Sequence, residues 1–166
     1  MITNELNNKL SKTKLLILDV DGVLTDGKIT LNAQGEELIS FHVHDGFGIK
    51  ALQKINVDIA VISGRDTKAV AHRLAFLGIE HVFLGQKEKI TVFESLLKKL
   101  SISAENIAFI GDDLPDVPLM QKVGVSICVK NGTEIAKKTA HFCTQKKGGN
   151  GAVREICDLI IMAKTA

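Results

Sequence analysis

Tryptophan and tyrosine are absent from this chain, and only three cysteines and two prolines occur among its 166 residues. With no Trp or Tyr to stack on bases, and 21 Lys and Arg against 19 Asp and Glu giving a net charge of +2, the footprint of a nucleic-acid binder is missing. Apolar runs are short: Leu15 to Leu18 and Val125 to Val129 fall far below the roughly 20 residues that a membrane helix needs. Met1 to Lys14 is polar and lacks the apolar centre of a signal peptide, so a cytoplasmic protein is expected. Cys128, Cys143 and Cys157 are odd in number, far apart and without a Cys-x-x-Cys pair, which reads as buried thiols and not as a disulfide or metal set. No stretch rich in Pro, Gly or Ser divides the chain, so a single domain over 1–166 is expected.

What the sequence does hold is an alternation of β-branched apolar runs with segments of helical period, the mark of an α/β protein with a doubly wound, mostly parallel sheet. Leu15 to Leu18, Val57 to Ile62, His81 to Leu84, Ile107 to Ile110 and Val125 to Val129 read as buried strands. Gly46 to Ile55, Thr67 to Leu77, Lys89 to Leu100 and Pro115 to Val123 read as helices between them. One interval breaks this rhythm. Around Asn32-Ala33-Gln34-Gly35 the alternation of Ile29, Leu31, Leu38, Phe41 and Val43 predicts a β-hairpin arm over about 25–43. No long insertion follows Ser63, which leaves no room for a lid domain. The polar N-terminal segment and the last residues after Ile161 are expected to be loose or to pack on a partner, and the C-terminal tail of about 146–166 opens on a flexible basic loop, Lys146-Lys147-Gly148-Gly149-Asn150-Gly151, that leads into a helix.

The chemistry gathers where strands end. Asp19-Val20-Asp21-Gly22 follows the first strand directly, placing two carboxylates at the carboxyl edge where open α/β sheets bind ligands. An ionised Asp is an oxygen nucleophile at neutral pH, and a neighbouring carboxyl can act as acid and base. A calcium loop does not fit, because Leu24 and Thr30 stand where such a loop requires Gly and a bidentate Glu. A second cluster, Gly111-Asp112-Asp113-Leu114-Pro115-Asp116, follows a later strand. Convergence of the two clusters implies a hard divalent cation such as Mg²⁺. Ser63-Gly64-Arg65 offers a hydroxyl, backbone N–H groups and a guanidinium to a phosphoryl group, and Lys89 opens a helix beside them. A helical reading also puts Arg65 and Arg73 on one face, where both meet anionic groups.

This order of motifs resembles the haloacid dehalogenase-like phosphatase superfamily. The segments Leu16 to Gly27, Asp45-Gly46-Phe47-Gly48-Ile49, Ile110-Gly111-Asp112-Asp113 and Gly151-Ala152-Val153-Arg154-Glu155 resemble, within it, the phosphatases of 3-deoxy-D-manno-octulosonate 8-phosphate. The resemblance implies a Rossmann-like fold and a Mg²⁺-dependent sugar-acid phosphatase of lipopolysaccharide sugar biosynthesis. Asp19 would be the nucleophile, Asp21 the acid and base, and Ser63 and Lys89 the partners of the phosphoryl oxygens. Asp19, Asp112 and the backbone carbonyl of Asp21 would hold Mg²⁺, with Asp113 and Asp116 orienting their neighbours. Substrate contacts would come from Asp21, His42, Val43, His44, Asp45, Gly46, Lys50, Gly64, Arg65, Arg73 and Lys89. It further implies a homotetramer joined through the arms, each site closed by a neighbour's C-terminal segment. Relatives commonly carry Arg at the position of His44 and Arg or Lys at that of Asn150, so two positive charges differ here.

Other classes account for less. A signalling receiver domain shares the acidic pair, Lys and Mg²⁺, but places its phospho-accepting Asp on a later strand and leaves the arm unexplained. Gly46-x-Gly48-x-x-Ala51 matches a relaxed dinucleotide fingerprint, yet no acidic residue ends the next strand. A nonulosonate 9-phosphate phosphatase carries an acidic residue where Arg65 stands. A silent assembly scaffold would not retain Asp19, Asp21, Lys89 and Asp112 together.

Overall fold

The computed structural model describes residues 2–165. Helix α1 (Asn4–Ser11), capped by the Thr3 hydroxyl, leads into strand β1 (Leu15–Leu18). A wide turn over Val20–Leu24 comes next, then the arm, whose strands β2 (Thr30–Leu31) and β3 (Glu37–Leu38) pair antiparallel. The chain continues through α2 (Val43–Lys54), β4 (Asp58–Ile62), α3 (Lys68–Phe76), β5 (His81–Phe83) and α4 (Lys89–Leu100). It then forms β6 (Ile107–Gly111), a tight turn over Leu114–Asp116, α5 (Val117–Met120), β7 (Val125–Cys128), α6 (Glu134–Thr139), β8 (Phe142–Cys143) and α7 (Ala152–Thr165).

Six of these strands form one parallel sheet in the order β5-β4-β1-β6-β7-β8. Successive strand residues point to opposite faces, so each strand feeds two cores. Leu16, Leu18, Val61 and Ile110 pack toward Leu10, Ile49, Leu52, Leu74, Ile156 and Ile160 of α1, α2, α3 and α7. Leu15, Ile17, Ile62 and Phe109 pack toward Phe93, Leu96, Leu119 and Ala136 of α4, α5 and α6. Helices on both faces explain why the strands read as unbroken apolar runs. From β1 the chain winds outward to β5, crosses back to β6 and winds outward to β8. The switch point therefore lies between β1 and β6, and a crevice opens there at the carboxyl ends.

Three expectations are corrected. The arm pairs over only two residues on each side, and Val43 belongs to α2, not to a strand; Ile29, Leu31 and Leu38 are 64%, 58% and 60% exposed, so no apolar face of this chain supports a longer ladder. The N-terminal segment is a helix that buries Leu6 and Leu10. The helix expected after Gly151 is α7, a core element that buries Val153, Ile156, Cys157 and Ile160, and the residues after Ile161, expected to be loose, continue it to Thr165 with Ala163 buried. Its preceding loop is docked as well: the Glu155 carboxylate accepts from the Gln145 and Lys146 N–H groups, and the Gly149 N–H donates to the Val23 carbonyl at 2.9 Å. Gly148 lies so close to the Gly22 carbonyl that any Cβ would overlap it. Cys128 and Cys157 are buried and Cys143 half-buried, all free. Among the described residues no helix is long and apolar enough to cross a membrane.

Candidate active site

Strand register brings the motifs to one height. Leu18 of β1 sits level with Val61 of β4 and Ile110 of β6, so the residues just beyond, Asp19, Ser63 and Asp112, emerge side by side. A backbone bond from the Asp19 N–H to the Ile110 carbonyl, 3.1 Å, carries the pairing one residue past β1. The chain then turns at Gly22, whose φ is +75° and whose missing Cβ leaves space for the Asp112 carboxylate. Together these elements frame a cavity of about 510 Å³ that includes Asp19, Asp21, Ser63, Arg65, Lys89 and Asp112 in its lining.

Lys89, the first residue of α4, is 6% exposed, and its Nζ lies 2.9 Å from Asp19 Oδ1 and 2.7 Å from Asp116 Oδ1. The other Asp116 oxygen accepts the N–H groups of Asp112 at 2.8 Å and Asp113 at 3.2 Å. Asp113 caps the same turn by accepting from the Leu114 N–H. Asp19 Oδ1 also accepts the Val20 N–H at 2.7 Å, while among the described residues no donor meets its Oδ2. Oδ2 is thus the oxygen left for chemistry.

Burial pushes Asp19 up to about 6, against the pull of Lys89. Burial, followed by the charge of Asp19, pushes Asp112 up to about 7. Burial opposes the charge on Lys89, yet Asp19 and Asp116 outweigh it and hold the ammonium above its usual value. One ligand oxygen each of Asp19, Asp112 and Asp116 fall within 4.8 Å of one another. Since Asp116 is occupied by Lys89 and two N–H groups, Asp19 and Asp112 are the free donors. A buried and a half-buried carboxylate that resist ionisation side by side fit a divalent cation, which removes their mutual repulsion.

Ser63 is 1% exposed, and its Oγ accepts the Arg65 N–H at 3.1 Å. The guanidinium of Arg65 donates from Nε to both Asp21 oxygens, at 2.7 and 2.6 Å, and from Nη1 to both Glu37 oxygens, at 2.8 Å. Arg65 precedes α3, so the expectation that it shares a helical face with Arg73 does not hold.

Of the expected site residues, Asp19, Asp21, Ser63, Gly64, Arg65, Lys89, Asp112, Asp113 and Asp116 line the cavity, whereas His42, Val43, His44, Asp45, Gly46, Lys50 and Arg73 do not. The arm carries the chain away after Asp21, and its return begins α2 beside the buried Leu24. There His42, Asp45, Gly46 and Arg73 surround a separate small void. Arg73 rests near the rings of Phe41 and Phe76, each 5.8 Å away, and Lys50 lies 5.1 Å from the Phe76 ring. His42 Nδ1, Asp45 Oδ2 and Arg73 Nε are buried without a hydrogen-bond partner. Sequence reasoning missed Gln86 and Lys87, which line the main cavity, and Glu37, the second partner of Arg65. The position of Gln86 and Lys87 between β5 and Lys89 was the available signal for the first two; nothing local marked Glu37.

Residues 82–156 match the model of the haloacid dehalogenase-like hydrolases. The chain is 45% identical, over 98% of its length and 87% of the relative's, to a 3-deoxy-D-manno-octulosonate 8-phosphate phosphatase of Salmonella typhi. The crystal structure of the Yersinia pestis phosphatase of that name superposes with a TM-score of 0.96 at 43% identity, over 99% of this chain and 89% of that one. That of Moraxella catarrhalis, solved with magnesium, phosphate and the octulosonate, gives 0.95 at 43%, over 99% and 94%. Sharing both the sequence and the fold of these enzymes along nearly its whole length, the chain belongs to the haloacid dehalogenase-like hydrolases and, within them, to the family of 3-deoxy-D-manno-octulosonate 8-phosphate phosphatases.

Proposed function

We propose that this chain is a Mg²⁺-dependent phosphatase that hydrolyses 3-deoxy-D-manno-octulosonate 8-phosphate to the sugar acid and phosphate, a step of lipopolysaccharide sugar biosynthesis. The observation that carries the reading is the free Oδ2 of Asp19, next to an oxygen fixed by Lys89 and Val20 and facing Asp112 across an open cavity. Asp19 Oδ2 attacks phosphorus, the bond from phosphorus to the sugar oxygen breaks, and the Asp21 carboxyl passes its proton to that oxygen. Asp21, now a carboxylate, takes a proton from water, whose oxygen displaces Asp19 from phosphorus and releases phosphate. Ser63 and Lys89 hold the phosphoryl oxygens, and Asp116 keeps Lys89 in place through its 2.7 Å contact. Asp19, Asp112 and the backbone carbonyl of Asp21 would hold Mg²⁺, which when bound supplies positive charge to the phosphoryl group and its nucleophile.

For recognition, Arg65 is the cation assigned to the sugar-acid end, because it lines the same cavity as Asp19 and is held at its wall by Asp21 and Glu37. The group around His42, Asp45 and Arg73 would complete recognition in a homotetramer. The exposed Ile29, Leu31 and Leu38 on the arm support assembly through that element. A cytoplasmic site of action is consistent with the absence of a membrane-crossing helix among the described residues. The test is phosphate release from a panel of sugar phosphates with Mg²⁺ and with chelator. Metal-dependent preference for the octulosonate ester is expected; turnover that prefers another ester overturns the substrate, and no turnover overturns the reaction.

A further inference from the structure

The arm is joined to the cavity by one polar chain. Asp21, Arg65 and Glu37 lie in sequence, the first from the turn after β1, the second from the segment between β4 and α3, the third from β3. Arg65 and Asp21 line both the main cavity and a second one of about 220 Å³ beneath the arm, so the ion chain forms the wall between them. Its side chain is only 20% exposed and Glu37 30%, which places the pair largely out of solvent, where ion pairs are screened less. The Nε and Nη1 groups are taken by the two carboxylates; among the described residues no acceptor meets Nη2.

We propose that Glu37 is a positioning residue: it holds Arg65 from the arm side so that the guanidinium presents Nη2 to the anionic group of the substrate's leaving portion. This rests on the sugar-acid phosphatase reading. A free Arg side chain carries about 2 kcal/mol of rotamer entropy, which must be given up when it grips a ligand. Clamped at two of its three nitrogens, Arg65 has already given it up. Asp21 alone does not suffice, since it meets a single nitrogen and leaves the far end of the plane free to swing. Among the described residues the Glu37 carboxylate bonds to Arg65 Nη1 alone, and the bonds of Arg65 Nε to Asp21 do not depend on it, so its effect falls on recognition more than on phosphoryl transfer.

The experiment is a double-mutant cycle, read as kcat and KM on two esters: the octulosonate 8-phosphate and phenyl phosphate, which lacks a second anionic group. Glu37→Gln keeps the reach of the side chain and removes its charge. It is expected to raise KM for the sugar-acid ester about tenfold, with kcat and the phenyl phosphate constants changed less than about twofold. Glu37→Asp should restore part of the loss. In an Arg65→Gln background, Glu37→Gln should have no further effect on KM. A lower KM in Glu37→Gln would mean that Glu37 competes with substrate for Arg65, and would overturn the proposal. An unchanged KM, or an equal rise in the Arg65→Gln background, would overturn it too. If the wild-type protein turns over another ester with a second anionic group, the substrate reading fails and the cycle is run on that ester, with the same outcomes. If it turns over only esters without such a group, both fail.

Discussion

Two polar clusters line separate cavities of the molecule, and they are finished to different degrees. Around Asp19, Lys89, Asp112 and Asp116, Lys89 has two carboxylate partners and Asp116 is bonded through both oxygens. Around His42, Asp45 and Arg73, three buried polar atoms have no partner among the described residues. An unpartnered buried donor or acceptor costs about 1–3 kcal/mol, so the second cluster is a liability within one chain, whereas in the first Lys89 and Asp116 are paired and the groups left open, Asp19 Oδ2 and Asp112, are those proposed for the chemistry. The groups proposed for phosphoryl transfer are thus largely partnered within the protomer, as is Arg65, whereas those around His42 are not.

The contrast is sharpest at the nucleophile. Asp19→Asn keeps the acceptor for the Val20 N–H and removes the attacking charge, so turnover should drop by at least about 10⁴-fold, about 5.5 kcal/mol of barrier, with the thermal midpoint preserved. Retained activity would dismiss Asp19 as nucleophile. For stability, Lys89→Met strips the ammonium from the buried Asp19 and Asp116 and should cost about 3–5 kcal/mol in urea denaturation at pH 8. The loss should shrink at pH 5, where Asp19 and Asp112, pushed up to about 6 and about 7, carry their protons. Arg73→Met removes a cation without an ion-pair partner and should cost under about 1 kcal/mol; equal losses in the two variants would erase the distinction between the clusters.

Protons and metal give the next largest effect. Asp19 and Asp112 are raised in the folded protein, which therefore binds more protons than the unfolded chain between the ordinary value of 3.8 and about 7. Without metal their contribution to stability declines as pH rises through that window. Mg²⁺ at a hundred times its dissociation constant should add about 2.7 kcal/mol, and a given concentration should stabilise more at pH 8 than at pH 5. Scanning calorimetry with Mg²⁺ and with chelator checks this, and a pH-independent shift would separate the metal from these carboxylates. Smallest is Asp45→Asn. Asp45 accepts the Arg154 N–H at 2.8 Å through one oxygen, and burial raises its pKa, so its ionised form is unfavourable as pH rises above the carboxylate range. Asn keeps the acceptor and removes the buried charge, so the variant should be equal to the parent or up to about 1 kcal/mol more stable at pH 7. A clear loss would show that the Asp45 charge is used.

The same contrast marks what could be read without a structure. Asp19, Ser63, Lys89 and Asp112 follow from strand ends and helix starts, where an apolar run and the residue after it fix position locally. The helix opening at Lys89 and the strand at Leu15–Leu18 agree with expectation for that reason. The surroundings of His42, Asp45 and Arg73 depend on where the arm returns and on how α2 lies against α7, which are tertiary facts without a local pattern. Glu37 was hidden likewise, because a strand of two residues does not declare which way its side chains face. The helical period of α7 was present in the sequence, but its docking against α1 and α2 is set by burial partners more than a hundred residues away.

The contact of Gly148 with the Gly22 carbonyl, and of the Gly149 N–H with Val23, has a consequence in time. The turn that aims Asp19 is sealed by residues that leave the ribosome long after it, and such non-local closures form late and slowly. A nascent chain carrying the whole acidic pair, Ser63 and Lys89 still lacks the piece that braces them. The brace on the turn that carries the acidic pair is therefore added only once Gly148 and Gly149 have emerged.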